Sequence, residues 1–213
     1  MRLRIYHYWR SSSSWRVRWA MHLKGVKPEY VPVDLLSGET EEAAHLARNP
    51  LGYVPALENL DRPGGSFLIQ SLAIIHWLDE VIPAPSLLGG KDPWTRAQVR
   101  ELAEIINADT QPIQNLSVQE FHSPDPAARK AWAQHWIRHG LQAFETIAKG
   151  TSGIYSVGDQ VSLADLCLVP QLFNAKRFEV SMEPYPTLTR IERACMKTES
   201  YLASQPSAYE PKK

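Results

Sequence analysis

The sequence predicts two domains of different class, a mixed α/β domain followed by an all-α domain, in 213 residues. Three observations carry this. Strand-like and helical hydrophobic periods alternate through about the first eighty residues. The run Ile82-Pro83-Ala84-Pro85-Ser86-Leu87-Leu88-Gly89-Gly90 then breaks every pattern and reads as a linker. Beyond it only helical spacing remains. The expected domains are therefore 1–82 and 92–213.

Strand-like runs are Leu3–Tyr8, Tyr30–Val33, Ala56–Glu58 and Ser66–Ile69, rich in aromatic and branched residues. Helical patterns are Trp15–Lys24, with Trp15, Trp19 and Leu23 on one face, then Thr40–Arg48, then Leu72–Val81, where Ile74, Leu78 and Val81 keep helical spacing. Arg62-Pro63-Gly64-Gly65 is a turn between the third and fourth strands. The order β-α-β-α-β-β-α is that of a thioredoxin-like domain. In the second half, Val99, Leu102 and Ile106 mark one helix, and Ala133, Ile137, Leu141, Phe144 and Ala148 mark another. Ser162-Leu163-Ala164-Asp165 is a capping box, which explains both polar residues structurally. The last ten residues, Ser204 to Lys213, are polar with two prolines and read as a fraying end.

Composition excludes several functions. Hydrophobic content of 44% and charged content of 22% are ordinary for a globular chain. No apolar run approaches a membrane span, and the N-terminus shows no secretory pattern, so a cytoplasmic location is expected. Zero net charge argues against nucleic-acid binding. Cys167 and Cys195 lie in helical segments and read as reduced core thiols. His135 and His139 are four apart, but lack the glutamate and third ligand of a zinc helix, so no metal is expected. Arg2, Arg4, Arg10, Arg16, Arg18, Lys24 and Lys27 all precede the first acid, Glu29, which suggests a local positive field.

That field surrounds Ser11-Ser12-Ser13-Ser14, set between the first strand and the first helix. The first N–H groups of a helix lack intrahelical partners, and the helix dipole adds positive potential there. Such a terminus accepts an anion. Hydroxyls beside it can also donate to a thiolate and favour its ionised form.

In this setting Arg10-Ser11-Ser12-Ser13-Ser14-Trp15-Arg16-Val17-Arg18 resembles the R-S-S-C-S-W-R-V-R signature of zeta-class glutathione transferases, a class that includes maleylacetoacetate isomerases. Four further segments occur in the family's order: N-P-L-G-Y-V-P-A-L from Asn49, Q-S-L-A-I-I from Gln70, Q-P-I-Q-N-L-S-V from Gln111 and G-D-Q-V-S-L-A-D-L-C-L-V-P-Q from Gly158. The resemblance spans nearly the whole chain and implies the glutathione transferase fold. One departure stands out: Ser13 occupies the family's cysteine position. A hydroxyl can hydrogen-bond there but cannot form a mixed disulfide.

The resemblance implies glutathione as cofactor and assigns roles. Ser11 is the leading candidate for activating the thiol, with Ser12 beside it. Gln70 and Ser71 would cradle the γ-glutamyl carboxylate, although a plain helix cap also explains Ser71. Val54 would offer its main chain ahead of a cis Pro55. Gln111 and Asn115 share a helix face by spacing and would face the ligand cleft, or carry solvent-facing amides. Arg10 and Arg177 would hold an acidic substrate through bidentate contacts, unless Arg177 serves a structural ion pair.

The implied reaction is cis–trans isomerisation of maleylacetoacetate to fumarylacetoacetate by reversible thiolate addition. Maleylpyruvate isomerisation, transfer chemistry on α-haloacids and a non-catalytic binding module are the alternatives. The partner is a small acidic substrate, and the resemblance implies a homodimer.

Overall fold

A computed structural model describes residues 1–211. It divides into two compact units: Met1–Pro85 together with the chain from Glu199 onward, and Ser86–Thr198.

The first unit contains β1 (Leu3–His7), α1 (Ser12–Leu23), β2 (Glu29–Pro32), a 3-10 turn at Glu39–Glu41, α2 (Ala43–Leu46), β3 (Ala56–Asn59), β4 (Ser66–Ile69) and α3 (Ser71–Val81). The four strands form one sheet in the order β2-β1-β3-β4. β1 and β2 are parallel, whereas β3 is antiparallel to both β1 and β4. This mixed sheet is the expected thioredoxin-like arrangement. The predicted helix over 40–48 is instead a 3-10 turn followed by the four residues of α2. Gly64 and Gly65 have φ of 77° and 64°, which supplies the turn expected between β3 and β4.

α1 is buried along its whole middle, from Ser14 to Met21, because elements of this unit cover it on several sides. α3 packs against it, and so does α9 (Glu199–Ser204). This corrects two expectations. The C-terminal segment packs with the first unit rather than the helical domain, and its described part does not fray. Trp15 Nε1 donates to Ser204 Oγ at 3.2 Å and Trp19 Nε1 to Ser200 Oγ at 3.0 Å. His22 and the Tyr209 hydroxyl lie 2.9 Å apart. These partners lie more than 180 residues away, so no local pattern signals them.

Of the seven arginines and lysines that precede Glu29, three are paired with acids. Arg2 pairs with Asp61, and Arg4 with Glu29 and Glu58. The Lys24 ammonium is buried against Asp79 at 2.6 Å and also donates to the Ile82 and Pro85 carbonyls, fastening the end of α1 to the chain that leaves α3. Arg16 and Arg18 are fully buried.

The second unit contains α4 (Pro93–Asn107), α5 (Leu116–His122), α6 (Pro126–Thr151), α7 (Leu163–Arg177) and α8 (Pro186–Cys195). The residues that marked α4 and α6 in the sequence are fully buried, as their spacing requires. The unit begins earlier than expected. Leu87 and Leu88 are core residues, and the Leu87 carbonyl accepts the Leu163 N–H at 2.7 Å. The capping box at α7 is present. Asp165 accepts the Ser162 N–H and the Ser156 N–H, each at 2.8 Å. Burial pushes the Asp165 carboxyl up, against these hydrogen bonds, which hold it down. Cys167 and Cys195 are buried free thiols, and desolvation raises the Cys195 thiol further.

Candidate active site

The sheet register brings three predicted segments to one end of the first unit. Tyr6 on β1 lies opposite Ala56 on β3, which lies opposite Ile69 on β4. From this row β1 runs on through His7 into the serine turn. Val54-Pro55 leads into β3, and β4 leaves into Gln70-Ser71. The antiparallel pairing of β3 with both neighbours therefore gathers Ser11, Val54, Gln70 and Ser71 at one sheet edge, with the N-termini of α1 and α3.

Ser11 is the N-cap of α1. Its Oγ accepts the Ser14 N–H at 3.2 Å, and its own N–H donates to the Tyr8 carbonyl at 3.1 Å. A hydroxyl that accepts one bond retains its proton for a further acceptor. Ser12 and Ser13 form the first turn of α1 and are partly buried. Ser14 is fully buried, and its Oγ accepts the Tyr8 N–H at 3.4 Å, so the fourth serine closes the turn. Arg10 lies against aromatic rings, its guanidinium 5.2 Å from the Trp9 centroid and 5.9 Å from that of Tyr8.

The Val54–Pro55 peptide bond is cis, as is Ala84–Pro85. At the start of α3 the expected cap is corrected. Gln70 is the N-cap, and Ser71 is the first helical residue, almost fully buried. Gln70 has φ 69° and ψ 113°, a region that L side chains rarely adopt. This strained residue joins the end of β4 to the N-terminus of α3. Strain of this kind costs on the order of 1–3 kcal/mol and clusters at ligand-binding positions. Sequence reasoning chose Gln70 by resemblance and had no signal for its backbone.

In the helical unit, Gln111 and Asn115 do not share a helix. Residues 108–115 form a turn after α4, and Asn115 is the N-cap of α5. The turn is braced by residues that sequence reasoning missed. Gln114 and Gln171, both buried, exchange hydrogen bonds at 2.7 and 3.2 Å. Gln119 Nε2 donates to the Gln114 carbonyl at 2.6 Å, and Trp132 Nε1 to the Ile113 carbonyl at 2.8 Å. Thr110 packs so closely on α6 that a Cβ at Gly140 would collide with its hydroxyl. Pro112 has no N–H, which suits this irregular segment better than a helix interior.

Arg177 ends α7 and is exposed, donating to Asn174 Oδ1 at 3.2 Å. It lines an open cleft of about 360 Å³ with Gln119, Arg129 and Lys130. A larger cavity in this unit, about 640 Å³ beside Ile154, Met182, Arg190 and Arg193, holds none of the predicted residues. His135 and His139 both set ring edges against Trp136. No cluster with metal-ligand composition occurs among the described residues.

Residues 10–81 match the glutathione S-transferase N-terminal domain. A probable maleylacetoacetate isomerase from Drosophila melanogaster is 45% identical over 205 residues, covering 95% of this chain and 87% of that protein. The chain belongs to the zeta-class glutathione transferase family. A crystal structure of maleylacetoacetate isomerase from Anaeromyxobacter dehalogenans, with glutathione bound in its active site, superposes with a TM-score of 0.88. Its identity is 48%, and 96% of this chain and 95% of that one are covered. A holo structure of maleylpyruvate isomerase, a bacterial zeta-class enzyme, gives a TM-score of 0.90 at 40% identity, with 98% of each chain covered. In the zeta-class protein described above, the expected glutathione transferase fold is present.

Proposed function

We propose that this protein is a glutathione-dependent cis–trans isomerase that converts maleylacetoacetate to fumarylacetoacetate. The observation that carries this reading is the convergence of two helix N-termini, α1 capped by Ser11 and α3 capped by Gln70, at one sheet edge. That edge suits a ligand with a carboxylate at one end and an ionisable thiol at the other. Glutathione has both, and when bound it supplies a thiol whose ionised form adds reversibly to a conjugated double bond and permits rotation about it.

The chain's own residues bind and orient. The α3 terminus, with Gln70 and Ser71, holds the γ-glutamyl carboxylate. Val54, ahead of Pro55, offers its main chain to the cysteinyl peptide. Ser11 donates to the sulfur and favours its ionised form, while Ser12 and Ser13 add hydroxyls in the first turn of α1. Gln111 and Asn115 add amides on a braced turn. Arg10 and Arg177 hold the substrate carboxylates, which orients the double bond and stabilises charge that develops beside them. Ser13 cannot act as a soft nucleophile, so the only thiol the reaction needs comes from glutathione.

We also infer a cytoplasmic homodimer. No described helix is long and apolar enough to cross a membrane. Leu51 and Tyr53, two residues apart in the first unit, are 54% and 48% exposed, apolar surface suited to a partner copy. Sedimentation reads the assembly state, and a lone 24.1 kDa species at micromolar concentration excludes the dimer.

The test of function is calorimetry with glutathione followed by an isomerase assay on maleylacetoacetate and, separately, on maleylpyruvate. Saturable binding with faster turnover of maleylacetoacetate supports the reading. Faster turnover of maleylpyruvate reassigns the substrate. No binding at millimolar glutathione rejects the reading.

A further inference from the structure

Arg18 is fully buried, and among the described residues its partners are carbonyls and rings rather than carboxylates. A charge removed from water must be matched by hydrogen bonds or opposite charge. Arg18 is matched by main-chain carbonyls from two distant parts of the chain. Its Nη2 donates to the Trp9 carbonyl at 2.8 Å, and its Nη1 to the Tyr8 carbonyl at 3.3 Å. Its Nε donates to the Ser204 carbonyl at 3.2 Å. The Tyr209 ring lies 4.5 Å from the guanidinium carbon, in cation–π range.

His7 completes the cage, with Nδ1 3.2 Å from Arg18 Nη1. Arginine only donates, so Nδ1 is the acceptor and the neutral ring carries its proton on Nε2. The guanidinium thus joins the end of β1, the turn that follows it and the C-terminal segment.

The position of these carbonyls matters for Ser11. The Tyr8 carbonyl accepts Arg18 and also the Ser11 N–H at 3.1 Å. Tyr8 to Ser11 is therefore one tight turn, gripped from behind by Arg18 and closed in front by Ser14 Oγ on the Tyr8 N–H. A change in how Arg18 is held displaces the carbonyl on which Ser11 is registered.

We propose that Arg18 is a positioning residue, and that the docked C-terminal segment, through Ser204 and Tyr209, holds it in place so that Ser11 points at the thiol. The proposal rests on the reading of Ser11 as the thiol-activating group. The C-terminal segment thereby acts on the site without touching the ligand. A planar fork that meets three carbonyls cannot be reproduced by an ammonium, so lysine is not an equivalent here.

The test compares the parent with Arg18→Lys, Tyr209→Ala and Tyr209→Phe. One readout is amide hydrogen exchange of residues 9–14 in the free protein. The other is ultraviolet titration of the glutathione thiol on the bound protein, with the glutathione KM measured separately from kcat. In Arg18→Lys and Tyr209→Ala, exchange at Ser11 and Ser14 should quicken. The bound thiol should titrate about one pH unit higher, a loss of about tenfold in thiolate at neutral pH. The glutathione KM should stay near that of the parent, since the α3 terminus is untouched. Tyr209→Phe keeps the ring over the guanidinium and should recover most of the effect.

A merely structural role would lower melting temperature and leave the bound thiol unmoved. Unchanged exchange and an unchanged thiol pKa in both Arg18→Lys and Tyr209→Ala overturn the proposal. If Arg18→Lys fails to fold, Tyr209→Ala decides it alone. If the parent itself binds no glutathione, the functional reading falls, and the exchange data still decide whether Arg18 holds the turn.

Discussion

The Ser14 N–H donates to Ser11 Oγ at 3.2 Å, so the serine proposed to activate the thiol is also the N-cap of its helix. One hydroxyl thus serves stability through its lone pair and chemistry through its proton.

Ser11→Ala separates these roles by magnitude. Loss of the cap should cost about 1 kcal/mol of stability, read by chemical denaturation. Loss of one hydrogen bond to a charged sulfur, worth about 1.5–3 kcal/mol, should lower turnover at neutral pH by roughly tenfold or more. The bound thiol should titrate at higher pH. An unchanged thiol titration would move the activating role to Ser12.

Ser13 stands where the family has cysteine, and the protein should be active as it is. Ser13→Cys should change turnover modestly, because a thiol is a weaker donor of similar shape. The new thiol, in the first turn of α1, should become sensitive to alkylation, since a helix N-terminus lowers thiol pKa. An inactive parent with a strongly active Ser13→Cys variant would show that the family cysteine is essential to this chemistry.

Asp165 should matter for folding alone. It accepts two backbone N–H groups, from Ser156 and Ser162, inside the second unit. Asp165→Ala strands both, which should cost at least about 2 kcal/mol in denaturant titration. Turnover per folded molecule should stay near that of the parent, and a selective loss of kcat in fully folded protein would contradict this.

His7 sets a pH dependence of stability. Burial first, and then the Arg18 charge, lower its pKa from 6.5 to about 3. The unfolded chain therefore binds a proton that the folded chain refuses. The stability contributed by the neutral ring is complete above pH 6.5 and is lost as pH falls toward 3. His22 is lowered in the same direction, first by burial and then by Arg18. Between pH 6.5 and 5, before most carboxylates titrate, His7 alone should contribute a slope approaching about 1.4 kcal/mol per pH unit. Denaturant titrations across this window should show a shallower slope in His7→Gln, and an equal slope would reject the assignment.

By itself the sequence determined the order of elements from β1 to α3 and located α4, α6 and the start of α7, because strand and helix periods are local. The spacing of Ile74 and Leu78, the run of aromatic and branched residues through Leu3 to His7, and the capping box at Ser162 each act within a few residues. It also marked the five segments that identify the family. Gln111 and Asn115 show where local reading ends: their spacing suggested one helix, but the buried Gln114–Gln171 pair and Gly140 hold a turn there. Only the tertiary structure decided which basic residues near the serines were already neutralised, since Asp61, Glu58 and Asp79 are more than fifty residues from their partners. It likewise decided the positive φ of Gln70, which follows from joining β4 to α3 and not from the residue's own preference. The described part of the polar C-terminal segment packs onto α1 for a related reason. Its serines and Tyr209 meet buried indole N–H groups and a buried guanidinium, whose desolvation leaves them in need of partners that only the folded chain supplies.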